Sequence, residues 1–104
     1  MIKASLMYPY TEGARFDFEY YTDKHLPFVK ASLGPALKGL TAEKGLVGGT
    51  PDTPPPFIVC GHLYFESVEA MQEAYAPHAA AIRADIRNFT NLEPVMMISD
   101  VLIG

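Results

Sequence analysis

Ile2, Ala4, Leu6 and Tyr8 alternate with Lys3, Ser5 and Met7, the period-two pattern of a strand with one clearly apolar face, and Pro9 ends it. From Asp17 the period changes. Phe18, Tyr21, His25, Phe28, Val29 and Leu33 recur at helical spacing and form one apolar stripe, while Glu19, Asp23, Lys24 and Lys30 point elsewhere. Asp17 is placed to cap free N–H groups at the start of this helix, and Gly34 followed by Pro35 marks its end. Pro27 has no N–H to give to the carbonyl of Asp23, so it predicts a kink or a break and a carbonyl in need of a partner.

Residues 40–47 read as a modest strand near a sheet edge, because Glu43 and Lys44 interrupt it. Residues 48–56 hold two glycines and then Pro54, Pro55 and Pro56; one short proline triplet reads as linker, not as a peptide-docking repeat. Residues 57–65 are the strongest strand, with Phe57, Val59, Gly61, Leu63 and Phe65 on one face and Ile58, Cys60, His62 and Tyr64 on the other. Both faces are largely apolar, which calls for two cover layers. Ser67 is a natural N-cap for a helix carrying Val68, Met71 and Tyr75, and Pro77 predicts a kink or two short helices before the run ends at Ile86. Residues 88–93 form a turn-rich link, and residues 94–102 a final strand broken only by Asp100.

The order strand, helix, strand, strand, helix, strand with right-handed crossovers gives an α+β class: a ferredoxin-like βαββαβ antiparallel sheet with helices on one face. At 104 residues the chain is expected to be one domain, residues 1–104. Its charged fraction of 19% falls below the usual level of about a quarter, while 49% is hydrophobic, so the helix-free sheet face is left too apolar for water. A second subunit packed on that face would cover it. The net charge of −4 and scattered basic residues argue against nucleic acid and against anionic membrane. No apolar run reaches membrane-spanning length, no signal-peptide pattern is seen, and the single Cys60 suits a reducing interior, so a cytoplasmic location is expected.

The run Tyr20-Tyr21-Thr22-Asp23-Lys24-His25-Leu26-Pro27, with Met7-Tyr8-Pro9 and Ala14-Arg15-Phe16-Asp17 before it, closely resembles the signature of the EthD family. The resemblance continues through residues 63–70 and 84–90 and so spans nearly the whole chain. It implies a dimeric α+β barrel, in which two sheets pack face to face as a homodimer. It also implies an oxidoreductase grouping through ether-degradation gene contexts, with relatives in the wider superfamily acting as monooxygenases, isomerases or dehydratases.

His25 is the first candidate for chemistry, because an imidazole can act as general acid or base near neutral pH. It would equally fill the helix stripe and donate to a carbonyl freed by Pro27. Tyr8, Tyr21 and Tyr64 offer phenols that can donate to a developing oxyanion, and Tyr21 lies one turn before His25. These residues give a catalytic set of His25, Tyr21 and Tyr8, with Phe28, Val29, Tyr64 and Asp100 as substrate-binding residues for a hydrophobic small molecule. Tyr20 faces another direction, toward a loop or a partner subunit. His62 and Asp100 would either meet as a buried pair in a dimer or stand as two solvated groups, and Asp85 reads as a helix-end salt-bridge partner of Arg87 or Arg83.

His25, His62 and His78 lack the close spacing of metal ligands, Gly48-Gly49 leads to prolines and not to a phosphate-cradling helix start, and Cys60 has no activating base in sequence reach. No metal or cofactor is therefore expected. The reading is a cofactor-independent enzyme of the EthD type with His25 as acid or base, or a non-catalytic small-ligand-binding accessory protein built on the same pocket.

Overall fold

The computed structural model describes all 104 residues. In chain order the elements are β1 (Ile2–Pro9), α1 (Phe18–Tyr20), α2 (Leu26–Leu33), β2 (Gly39–Lys44), β3 (Phe57–Phe65), α3 (Val68–Tyr75), α4 (Ala79–Ile86) and β4 (Val95–Asp100). The strands lie in the order β2-β3-β1-β4, and each neighbouring pair is antiparallel. This is the ferredoxin-like α+β sheet that the chain order predicts. The two most apolar strands, β1 and β3, are central, and β2 with its exposed Glu43 and Lys44 is an edge.

Directly opposed residues of paired strands share a face of the sheet. Ala4 faces Leu63 and Ile98, and Leu6 faces Gly61 and Met96, so these side chains look toward the helices. There Ala4, Leu63 and Phe65 pack with Val29, Leu33 and Ile82. A second buried cluster joins Tyr8, Tyr21, Val59, Ile86, Phe89 and Leu92.

The helix caps follow the sequence. The Asp17 carboxylate accepts from the Tyr20 N–H at 3.1 Å, and the Ser67 hydroxyl oxygen accepts from the Ala70 N–H at 3.1 Å. The disturbance expected at Pro27 takes the form of a π turn over Tyr21–His25, in which the Leu26 N–H donates to the Tyr21 carbonyl. The wider turn sits where the proline removes the next regular donor. Around it the apolar stripe narrows to the four-residue row Tyr21, His25, Val29 and Leu33, all buried, whereas Phe18 and Phe28, off that row, are 37% and 39% exposed. Pro77 lies in a single 3₁₀ turn, Ala76–His78, that joins α3 to α4.

Met7, Cys60, Tyr64, Val95 and Met97 occupy the helix-free face, since their strand partners are one another or Lys3 and Ser5. In the middle of that face the Ser5 hydroxyl and His62 Nδ1 are 2.8 Å apart, and His62 Nε2 is 2.6 Å from Glu43, a polar chain running across three strands. No helix is long and apolar enough to cross a membrane.

Candidate active site

A cavity of about 470 Å³ lies between the helix-side face of the sheet and the helices. Ala4, Leu6, Leu63 and Phe65 form its sheet wall, and Val29, Ile82 and Ile86 its helix wall. The polar side chains of its interior are Tyr8, Tyr21, His25 and the half-buried Tyr75; Arg83, Arg87 and Glu93, all exposed, stand at its rim.

The π turn presents Tyr21 and His25 on the same side of the helix, with their rings nearly parallel, 17° apart in plane and 5.8 Å between centroids. Phe89, just beyond α4, packs against the His25 ring with 4.5 Å between centroids. His25 as a whole is 3% exposed. Its Nδ1 lies 2.8 Å from Oδ2 of Asp85 in α4. Oδ1 of the same carboxylate accepts from the Tyr20 hydroxyl at 2.6 Å and from the Asn88 side-chain amide at 2.9 Å.

Burial pushes the pKa of His25 down, and this outweighs the opposing pull of Asp85. For Asp85 burial pushes up, yet the hydrogen bonds from Tyr20, His25 and Asn88 hold the carboxyl below its ordinary value. At neutral pH the pair is therefore a carboxylate and a neutral imidazole. A carboxylate only accepts, so Nδ1 carries the proton and donates it, and Nε2 keeps a bare lone pair.

Tyr8 and Tyr21 are 1% and 4% exposed, and burial raises the pKa of each well above the ordinary phenol value, so both stay protonated. Every polar side-chain atom that is shut off from solvent has a hydrogen-bond partner. The two phenol oxygens and Nε2 of His25 have none within the chain, so they open on the cavity they line. Tyr21 reaches its place because Gly61 has no side chain: a Cβ there would stand 2.5 Å from the Tyr21 hydroxyl oxygen. The cavity thus holds one base and three phenols, those of Tyr8, Tyr21 and Tyr75, in otherwise apolar inner walls.

The profile of the EthD domain matches residues 12–93, a stretch that contains this base and most of the cavity wall. The chain belongs to the EthD family. An EthD-like protein from Ralstonia eutropha JMP134 is similar over 98% of this chain and 92% of its own, at 47% identity and a TM-score of 0.94. An ethyl tert-butyl ether D (EthD) family protein from Bacillus halodurans C-125 has the same fold at 21% identity, covering 98% of this chain and 99% of its own with a TM-score of 0.75. A protein of Arabidopsis thaliana shares the fold at 15% identity over 100% and 98% of the two chains, with a TM-score of 0.71. No functionally curated protein matches the sequence.

The three residues expected to carry chemistry, His25 and Tyr21 within the EthD match and Tyr8 just before it, line one cavity, and Val29 lines it with them. Phe28, Tyr64 and Asp100, expected to bind substrate, lie outside it. Phe28 turns out to solvent from α2, and Tyr64 faces Lys3 on the helix-free side. Asp100 is exposed on β4 opposite Ile2, whereas His62 is opposite Ser5; Ile2 and Ser5 are three residues apart on one strand, so Asp100 and His62 belong to opposite faces.

Asp85 pairs with His25 and not with Arg83 or Arg87, and Arg87 instead pairs with Glu93. Tyr20, expected to face a loop or a partner, turns its hydroxyl to Asp85. Sequence reasoning gave neither Gly61 nor Asn88 a part in the site. The one signal for Gly61 was a glycine in the middle of the most apolar strand, a position that often marks a close approach by a neighbour.

Proposed function

We propose that this EthD protein is a cofactor-independent enzyme that removes a proton from carbon beside a carbonyl group in a hydrophobic organic substrate. The observation that carries this reading is His25: Nδ1 tied to a carboxylate, Nε2 bare and open on a mostly apolar cavity beside the neutral phenols of Tyr8 and Tyr21. The substrate C–H gives its proton to Nε2, and the bonding electron pair moves onto the carbonyl oxygen, which becomes an enolate oxyanion. Tyr8 and Tyr21 donate hydrogen bonds to that oxygen as its charge develops. Asp85 stabilises the imidazolium that forms.

Return of the proton from Nε2 to another carbon completes an isomerisation; its transfer instead to a neighbouring hydroxyl, which leaves with its bonding pair as water while the enolate re-forms the carbonyl, completes a dehydration. The enolate is also the electron-rich species that a cofactor-free oxygenase presents to dioxygen, which keeps an oxidoreductase role in ether or aromatic degradation within the same site. The working form is a homodimer in the cytoplasm, with the helix-free face covered by a second sheet. The exposed Val95 and Met97 support that assembly.

Acetophenone is a suitable probe, being apolar and carrying an acidic methyl group next to a carbonyl. Its deuterium uptake in D₂O, followed by NMR, is expected to be faster with the wild type by about 10²-fold or more over the His25→Ala variant. Binding of acetophenone should persist in that variant. If both proteins bind the ketone and neither exchanges its protons, the chain is a ligand-binding accessory protein instead.

A further inference from the structure

Beyond Nδ1, away from the cavity, the His25 pair continues into a closed set of hydrogen bonds. Oδ2 of Asp85 faces His25 at 2.8 Å, and Oδ1 takes the Tyr20 hydroxyl at 2.6 Å and the Asn88 amide at 2.9 Å. Asn88 also donates to the Tyr20 oxygen at 3.3 Å, so the two donors brace each other. They come from different stretches of the chain, 68 residues apart. The Asp85 side chain is 18% exposed against 4% for His25. A carboxylate in that position, held by one imidazole alone, would be free to turn toward water.

We propose that Tyr20 and Asn88 are positioning residues: by holding Oδ1 of Asp85 they aim Oδ2 at Nδ1 of His25, and so fix the imidazole tautomer whose bare Nε2 opens on the cavity. This rests on the proton-transfer reading of His25 and extends it to two side chains that do not line the cavity.

A neutral imidazole carries one proton, and the hydrogen bond made by one ring nitrogen decides where that proton sits. The other groups packed on the ring, Tyr21 and Phe89, make no hydrogen bond to it, so Asp85 is the group that decides. With Oδ1 clamped, the acceptor cannot swing away from Nδ1. With Oδ1 free, the ring can carry its proton on Nε2, where it is an acid and no longer a base.

The test is nitrogen NMR of the imidazole at neutral pH, together with the carboxyl titration of Asp85, in the protein without ligand. Tyr20→Phe deletes the hydroxyl and keeps the ring that stacks near Phe89 at 6.3 Å; Asn88→Ala is the independent second variant. The wild type should show Nδ1 protonated and Nε2 bare. Each variant should show a mixture of the two tautomers and an Asp85 midpoint moved upward, with acetophenone exchange slowed about tenfold in kcat at unchanged KM.

If both variants keep the wild-type tautomer and Asp85 midpoint and lose only stability, the two residues are structural ties and the proposal falls. A wild-type ring protonated on Nε2 overturns it as well. Because the tautomer is read without ligand, it stands apart from the exchange assay. Failure of the wild type to exchange acetophenone would sink the proton-transfer reading and leave the tautomer result as it is.

Discussion

Gly61 shows how closely this site depends on single atoms. The Tyr21 hydroxyl oxygen lies where a side chain at position 61 would begin, 2.5 Å from the ideal Cβ position. Gly61→Ala should favour the strand slightly and overpack the cavity wall more, for a net loss of about 1 kcal/mol in chemical denaturation. Tyr21 must also leave its place, so acetophenone exchange should fall about tenfold or more. Unchanged exchange after this substitution would show that the Tyr21 phenol does not serve the reaction. His25, Tyr21 and Tyr8 were legible in the sequence because apolar periodicity alone puts two of them on one stripe and the third on the inward face of β1. Asp85 was not, because its partner is 60 residues away and two arginines stand much nearer in sequence. Local charge pairing is a weak guide when a buried imidazole competes for the same carboxylate.

The π turn is the element that carries Tyr21 and His25, at a four-residue spacing that keeps both on one face. It aligns Tyr21 with His25 on the cavity side and leaves Asp17 capping the helix start. The proline foretold an irregularity, yet nothing in residue spacing separates a kink from a widened turn, since both relieve the missing Pro27 donor. Deleting Thr22 shortens the turn by one residue and should restore a regular helix. Circular dichroism is then expected to show unchanged helix content, while acetophenone exchange falls about tenfold because the Tyr21–His25 spacing drops from four residues to three and the angle between the two side chains changes. Wild-type exchange in the deletion variant would remove the π turn from the account. The strands were readable at a similar level: β1 and β3 from their alternation, β2 as an edge from Glu43 and Lys44. Asp100 was misplaced because β4 is apolar on both faces, so its pattern does not reveal which side faces the helices.

At the scale of the molecule, one sheet serves two purposes. Its helix-side face forms a wall of the cavity, and its other face carries Met7, Val95 and Met97 around the polar chain of Ser5, His62 and Glu43. The shortage of charge in the composition pointed to this second face, and the alternation in β1 and β3 located it. The cavity itself could not be foreseen as a volume, because it arises from how α2 and α4 sit over the sheet. What the cavity needs above all is a buried imidazole that is neutral and basic at working pH. The pH profile of acetophenone exchange by the wild type tests this most directly. Burial lowers the pKa of His25 from its ordinary value of 6.5, and the base works only when unprotonated. The rate should rise with pH through a midpoint below 6.5 and level off before neutrality. A rate that climbs without a plateau, or one that the His25→Ala variant reproduces at every pH, would contradict the account.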